Sequence, residues 1–178
     1  MKKLYKIRKV RFYDIQTKIR SRTINKNERG IKMKLKIVCD DEKYLPTYAN
    51  ETDACMDLKV IVPNRTFILA PKQSKVFRTG VKVQIPDGYV MLVFVRSSTG
   101  VKLKCDLMNG TGIIDSGYRD EIKIPLYNFG DYSVEIQDGQ RIAQFMIIPR
   151  PKLELEIVPD NEEFRQGDRL GGIGSTGV

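Results

Sequence analysis

Apolar and polar positions alternate with a period of two in four segments of the chain: Leu35/Ile37, Val81-Lys82-Val83-Gln84-Ile85, Ile122-Lys123-Ile124 and Leu153-Glu154-Leu155-Glu156-Ile157. Successive side chains on a strand point to opposite faces, so each segment reads as a strand with one wet face. Denser apolar runs at Asp57–Val62, Tyr89–Val95 and Ile142–Ile148 read as strands buried on both faces. Turn residues separate these runs, as at Pro86-Asp87-Gly88, Gly130-Asp131 and Asp138-Gly139. No stretch carries the 3.6-residue period of an amphipathic helix, and solenoid-length repeats are absent from the sequence. Many short strands with regular turns predict an all-β fold, a jelly roll or distorted β-barrel, spanning residues 34–160. Glycines at 167, 171, 172, 174 and 177 mark residues 161–178 as an arm expected to move until something orders it.

Charge alters this picture at one end only. The 178 residues carry 31 Lys/Arg against 22 Asp/Glu, a formal +9. The first 34 residues hold 13 of the basic side chains and only Asp14 and Glu28 as acids; the remainder, 18 basic and 20 acidic, is slightly negative. Segment 1–33 is therefore an appendage, and it lacks the apolar core of a secretory signal. Three readings stand for it: a solvated arm, a nucleic-acid or membrane-surface arm, or residues upstream of a start at Met33, just before the regular alternation begins. Composition favours the first and third, because a nucleic-acid arm usually adjoins a domain with a basic face of its own.

Composition also excludes chemistry. The chain has no His, which removes Ser-His-Asp and Cys-His nucleophiles, His general bases and His metal ligands. Cys39, Cys55 and Cys105 are odd in number and widely spaced, forming neither a C-x-x-C motif nor a disulfide framework, and read as reduced thiols in a cytoplasmic protein. The longest apolar run, Tyr89–Val95, has seven residues, far short of the ~20 a membrane helix needs, so the chain is expected to be soluble.

Three segments carry candidate chemistry. In Asn109-Gly110-Thr111-Gly112-Ile113-Ile114-Asp115-Ser116-Gly117-Tyr118-Arg119 the glycines permit close backbone approach to a ligand. Asp115 and Tyr118 flank a turn that would face both toward one small pocket; on spacing alone a plain glycine-rich hairpin with a solvated Asp is slightly favoured. Arg96-Ser97-Ser98-Thr99-Gly100, ending an apolar strand, offers a guanidinium, hydroxyls and amides suited to phosphate oxygens or to any polar turn. Gly171-Gly172-Ile173-Gly174-Ser175-Thr176-Gly177 has a phosphate-wrapping composition without the Gly-Lys-Ser/Thr ending of a P-loop.

Together, and in this order, these segments resemble motifs of the homotrimeric dUTP diphosphatase (dUTPase) family. The first motif resembles Asp53-Ala54-Cys55-Met56-Asp57-Leu58, the second Arg96–Gly100 and the third Gly112–Arg119. Gly139-Gln140-Arg141-Ile142-Ala143-Gln144 and Arg169–Gly177 complete the set, so the likeness covers residues 35–177. The resemblance implies hydrolysis of dUTP to dUMP and pyrophosphate with Mg²⁺ on the triphosphate, limiting uracil in DNA and supplying dUMP for thymidylate synthesis. It implies a homotrimer with shared active sites. By the same likeness Asp115 is the general base. Tyr118 packs under the deoxyribose, Asn109, Gly112 and Ile114 belong to the uracil hairpin, and Asp57 reaches hydrated Mg²⁺ through water. Arg96, Ser97, Ser98 and Gln144 contact phosphates, and Arg169, Ile173, Gly174, Ser175 and Thr176 belong to a closing lid.

The chain departs from the family pattern at four places. Ile173 replaces an aromatic ring over the base, Cys55 and Asp120 replace glycines and are expected to need backbone adjustment, and Arg165 rivals Arg169 as the phosphate clamp. A dCTP deaminase of the same fold and a dUTPase-scaffold regulatory protein that binds a protein partner are the competing functions.

Overall fold

The structure is a computed structural model that describes residues 33–160; the expectations for residues 1–32 and 161–178 lie outside it. Eleven strands follow in chain order: β1 (Lys36–Cys39), β2 (Met56–Lys59), β3 (Thr66–Leu69), β4 (Ser74–Arg78), β5 (Val81–Gln84), β6 (Tyr89–Val95), β7 (Cys105–Leu107), β8 (Gly112–Ile114), β9 (Lys123–Asn128), β10 (Val134–Gln137) and β11 (Arg141–Pro149). One helical turn, α1 (Ser97–Val101), joins β6 to β7, and a single 3₁₀ turn occupies Glu42–Tyr44. All strand pairs are antiparallel, in sheets ordered β2-β11-β6-β8, β4-β9-β7, β1-β5 and β3-β10. The all-β jelly-roll expectation holds, with strands wrapped around a core that includes Leu58, Leu69, Met91, Ile124, Leu126 and Ile142.

Three local readings change. The run Tyr89–Val95 is a strand whose Met91 and Val93 face the core; on the opposite face Val90 is buried but Leu92 and Phe94 are only half-buried. On β11 the same holds for Gln144, Met146 and Ile148, so an apolar run reported two apolar faces and only one inward direction. Second, Leu153–Ile157 pairs with no strand among the described residues, and Leu155 and Ile157 are 88% and 99% exposed. Alternation specifies two faces but not the neighbour that covers the apolar one. Third, Ser97–Val101 is helical rather than a loose turn; five residues with hydroxyls and a glycine carry no helical period, and tertiary anchoring supplies what propensity does not.

Two polar side chains, one buried and one half-buried, lock loops that period-two patterning leaves unspecified. The Asn128 amide, fully buried, donates to the carbonyls of Leu69, Ala70 and Tyr132 and accepts from the Gly130 amide. Asp138 accepts from the Val62 amide (2.9 Å), the Tyr44 hydroxyl (2.7 Å) and Lys43 (3.0 Å). Burial pushes the Asp138 carboxyl up, but these donors outweigh it and hold the group below the usual carboxylate range. Its contribution is then present above the unfolded carboxyl's pKa and is lost as pH falls through the lower folded value. We expect Asp138→Asn to lower stability at pH 7 by about 1–2 kcal/mol, and the gap from the parent chain to shrink on acidification, as read by urea denaturation at pH 7 and pH 3.

Candidate functional site

The four-stranded sheet positions two groups of side chains. The first lies where β2, β11 and β6 run together. In register, Gln144 stands opposite Asp57 on one side and Phe94 on the other, which puts all three on the outer face of the sheet. A register shift between Arg141 and Ala143 re-aims the start of β11. Arg96, one residue past β6, is tied by its amide to the Ile142 carbonyl and precedes α1. These constraints bring two guanidiniums to one carboxylate: Arg96 Nε lies 2.7 Å from Asp57 Oδ1, and Arg141 Nη1 lies 3.0 Å from Asp57 Oδ2. Arg96 Nη1 also donates to the Arg141 carbonyl. Asp57 is only 4% exposed, whereas Arg96 and Arg141 reach solvent. Ser97 is exposed and Ser98 half-buried at the start of α1, and Thr99 is buried.

The second group lies on the connection from β7 to β8, which the sequence reads as a hairpin; in the fold β7 pairs with β9 and β8 with β6, so the segment crosses from one sheet to another instead of folding back on itself. The left-handed backbone at Gly110 (φ +67°) turns the chain, which a β-branched residue would resist. Gly112 is a glycine for a different reason: a Cβ there would lie 3.0 Å from Val93 Cβ, so its closest approach is to the neighbouring strand, not to a ligand. Asn109, Gly112, Ile113 and Ile114 wall a half-open cleft of about 190 Å³ with Val76, Val93, Leu107, Lys123 and Pro125. Asp115 and Tyr118 do not wall this cleft. They lie beyond β8 across a turn closed by the Tyr118 amide donating to the Asp115 carbonyl. Both are exposed, and no described residue hydrogen-bonds or pairs with the Asp115 carboxylate. The Tyr118 hydroxyl donates to the Glu121 carbonyl at 2.8 Å; burial, then Asp120 and Glu121, push its pKa up, so it stays a donor.

Cys55 and Asp120 keep negative φ, so neither needs the strained backbone expected where the family pattern has glycine. Burial pushes the Cys39 and Cys55 thiols up, and Cys105 to about 11, which leaves none of them activated as a thiolate nucleophile. Among the described residues, no group of three or more carboxylates or thiols gathers to hold a metal. Asp57 is only 4% exposed and has both oxygens on guanidiniums, which leaves it no free oxygen for direct coordination of an ion, so contact through water is the form open to it. Sequence reasoning missed Val76, Lys123 and Pro125 as cleft walls because they come from other strands, and it did not foresee that Arg141 shares Asp57 with Arg96.

Comparison with known proteins adds the following. The chain matches the dUTPase family model over residues 41–177. It is 37% identical to a deoxyuridine 5'-triphosphate nucleotidohydrolase of Clostridium novyi over 82% of this chain and 100% of that protein. A dUTPase variant of Staphylococcus bacteriophage 80alpha with dUpNHpp superposes with a TM-score of 0.70, at 28% identity, over 83% of this chain and all of the other. Structures of that phage enzyme include an Asp-to-Asn and a Tyr-to-Ile variant, at positions three residues apart, described with phage control of virulence-gene transfer by a G protein-like mechanism. The dUTPase of phage phi11 of S. aureus (TM-score 0.64, 26% identity, 73% and 99% covered) is described as coordinating a structural Mg(II) ion.

Removing the carboxylate would leave two facing guanidiniums unpaired. Asp57→Ala is expected to destabilise the fold by about 3 kcal/mol, measured by urea denaturation, and adding Arg141→Ala should recover part of that loss.

Proposed function

The chain belongs to the dUTPase family, and on that premise we propose that it hydrolyses dUTP to dUMP and pyrophosphate with Asp115 as the general base. The observation that carries this reading is the exposed Asp115 carboxylate, unpartnered among the described residues, just past β8 and next to a cleft sized for a pyrimidine. Asp115 takes a proton from a water molecule whose oxygen bonds to the α-phosphorus. The bond from that phosphorus to the bridging oxygen breaks, pyrophosphate departs and the proton passes to solvent. The three-residue spacing of the varied Asp and Tyr in the phage 80alpha enzyme equals that of Asp115 and Tyr118, which supports pairing their roles.

In the proposed complex Asn109, Gly112 and Ile114 present backbone and amide groups to the uracil edge, and the Tyr118 ring packs under the deoxyribose. That packing leaves no room for a 2′-hydroxyl. Arg96, Ser97, Ser98 and Gln144 contact phosphate oxygens. Asp57 would reach a Mg²⁺ ion through water, and such an ion would supply positive charge near the phosphates. Arg169 or Arg165, with Ile173, Gly174, Ser175 and Thr176, closes over the triphosphate, and we assign these residues of the 161–178 arm by family likeness alone. The chemistry belongs with the cytoplasmic nucleotide pool, where it limits uracil incorporation into DNA. Deamination of dCTP is not favoured, since the relatives are nucleotidohydrolases.

Homotrimer assembly is the second part of the proposal. Two observations support it: the half-buried apolar face of β6 and β11, and the alternating segment Leu153–Ile157, whose Leu155 and Ile157 are not covered by any described residue. Cleft, arginine cluster and arm then meet between subunits.

Asp115→Asn should bind dUTP with nearly unchanged affinity by calorimetry while pyrophosphate release falls about 100-fold or more; full turnover would remove Asp115 as base. Leu155→Asp should shift the mass seen by light scattering from trimer toward smaller species and cut activity in parallel.

A further inference from the structure

Tyr118 is only partly covered, at 37% exposed, and two hydrogen bonds add to what packing restrains: from its amide to the Asp115 carbonyl and from its hydroxyl to the Glu121 carbonyl at 2.8 Å. The hydroxyl bond restrains the ring only as firmly as Glu121 itself is fixed. That residue is 8% exposed, and its carboxylate carries four contacts from the corner between β4 and β5. Oε1 accepts from the Gly80 amide (2.7 Å), the Thr79 amide (3.0 Å) and Arg78 Nε (3.1 Å), and Oε2 accepts from Arg78 Nε (2.9 Å).

The surrounding backbone is fastened as well. Asp120 Oδ1 accepts from the Glu121 amide, the Ile122 amide donates to Val81, and the Thr79 hydroxyl donates to the Ile122 carbonyl. Arg78 is braced on its far side by Asp40 at 2.8 Å. Burial raises the Glu121 carboxyl's pKa, but the amides and Arg78 more than reverse this, so the group stays charged.

We propose that Glu121 is a positioning residue for sugar selection: its buried carboxylate pins the carbonyl that orients the Tyr118 ring, and so sets how strictly the site rejects a 2′-hydroxyl. Glu121 touches no substrate in this scheme and acts through Tyr118. The inference rests on the assignment of Tyr118 to the deoxyribose, and its test separates the two.

The readout is the ratio of kcat/KM for dUTP to that for UTP, from pyrophosphate release by the full-length chain, with thermal stability measured in parallel. Glu121→Ala is expected to lower the ratio about tenfold by releasing the ring. Tyr118→Phe, which removes only the hydroxyl, should lower it by a similar factor, and the double variant should fall no further than either single one. Should Glu121→Ala fail to fold, Glu121→Gln keeps the bonds from the Thr79 and Gly80 amides while turning an NH₂ toward Arg78, and is expected to give a smaller loss in the same direction. A Glu121 variant that lowers the melting temperature and leaves the ratio unchanged overturns the proposal, as does a fully multiplicative effect in the double variant. Tyr118→Ala separates the premise: if removing the ring leaves the ratio intact, the sugar assignment falls and the inference with it, whereas a changed ratio beside an unchanged Glu121 variant overturns the inference alone.

Discussion

One carboxylate between two guanidiniums organises the outer face of this barrel. Asp57 is buried on β2, and its cost of desolvation is offset only because Arg96 and Arg141 reach both its oxygens. Each partner arrives by a different route: Arg96 from the end of β6, at the start of the helical turn, and Arg141 from the head of β11, re-aimed by a register irregularity. Three segments far apart in the chain must therefore align before any of the three charges is satisfied. The same alignment puts Gln144 beside Asp57 and leaves Ser97 and Ser98 at the rim. A pair of arginines that would otherwise repel is held at fixed spacing, which is the preorganisation an anion site requires.

The group on the β7–β8 connection is organised by close approach rather than charge. Gly112 lets β8 lie against Val93, and this contact sets the depth of the cleft that Asn109 and Ile114 wall. Beyond β8 the restraints change character, from strand pairing to the hydrogen bonds that hold Tyr118. Both groups sit on a sheet whose outer face keeps Leu92, Phe94, Met146 and Ile148 only half-buried, while the apolar side of Leu153–Ile157 is not covered by the described residues. The described residues thus leave apolar surface uncovered, and burial at roughly 25 cal/mol per Å² is the physical argument for the association proposed above.

How much of this was legible in the sequence depended on how local the determinant is. The strand at Tyr89–Val95 was readable to the residue, and the turn at Asp115–Tyr118 followed from its Asp-Ser-Gly triplet, because neighbours in sequence decide both. Leu153–Ile157 had the same alternation as Val81–Ile85, yet among the described residues only the latter has a partner strand; periodicity carries no information about who pairs. Motif order brought Asp57, Arg96 and Gln144 forward as site residues, but not that Asp57 is shared by two arginines, since that requires the register of β2 on β11. Lys123 and Pro125, which wall the cleft from β9, carried no local signal. Glu121 looked like one more charge following a turn, and only the amides of Thr79 and Gly80, about 40 residues away in sequence, give it a purpose.

The same distinction between local and global decides the electrostatics. The chain's formal +9 comes from its first 34 residues, and charges further than about 8 Å from a site are largely screened at physiological ionic strength. What a phosphate group meets on the sheet is Arg96 and Arg141 less Asp57, a local excess of a single positive charge. That excess is enough to orient one phosphate through guanidinium hydrogen bonds but too small to neutralise a triphosphate. The missing positive charge has to arrive with the substrate or from another segment, which is the physical reason a hydrated divalent cation and an arginine of the arm belong in the proposed reaction. It also explains the value of spending Asp57 on two arginines: with their charge partly cancelled, the site holds anions weakly until the whole complement of cations is assembled around a triphosphate.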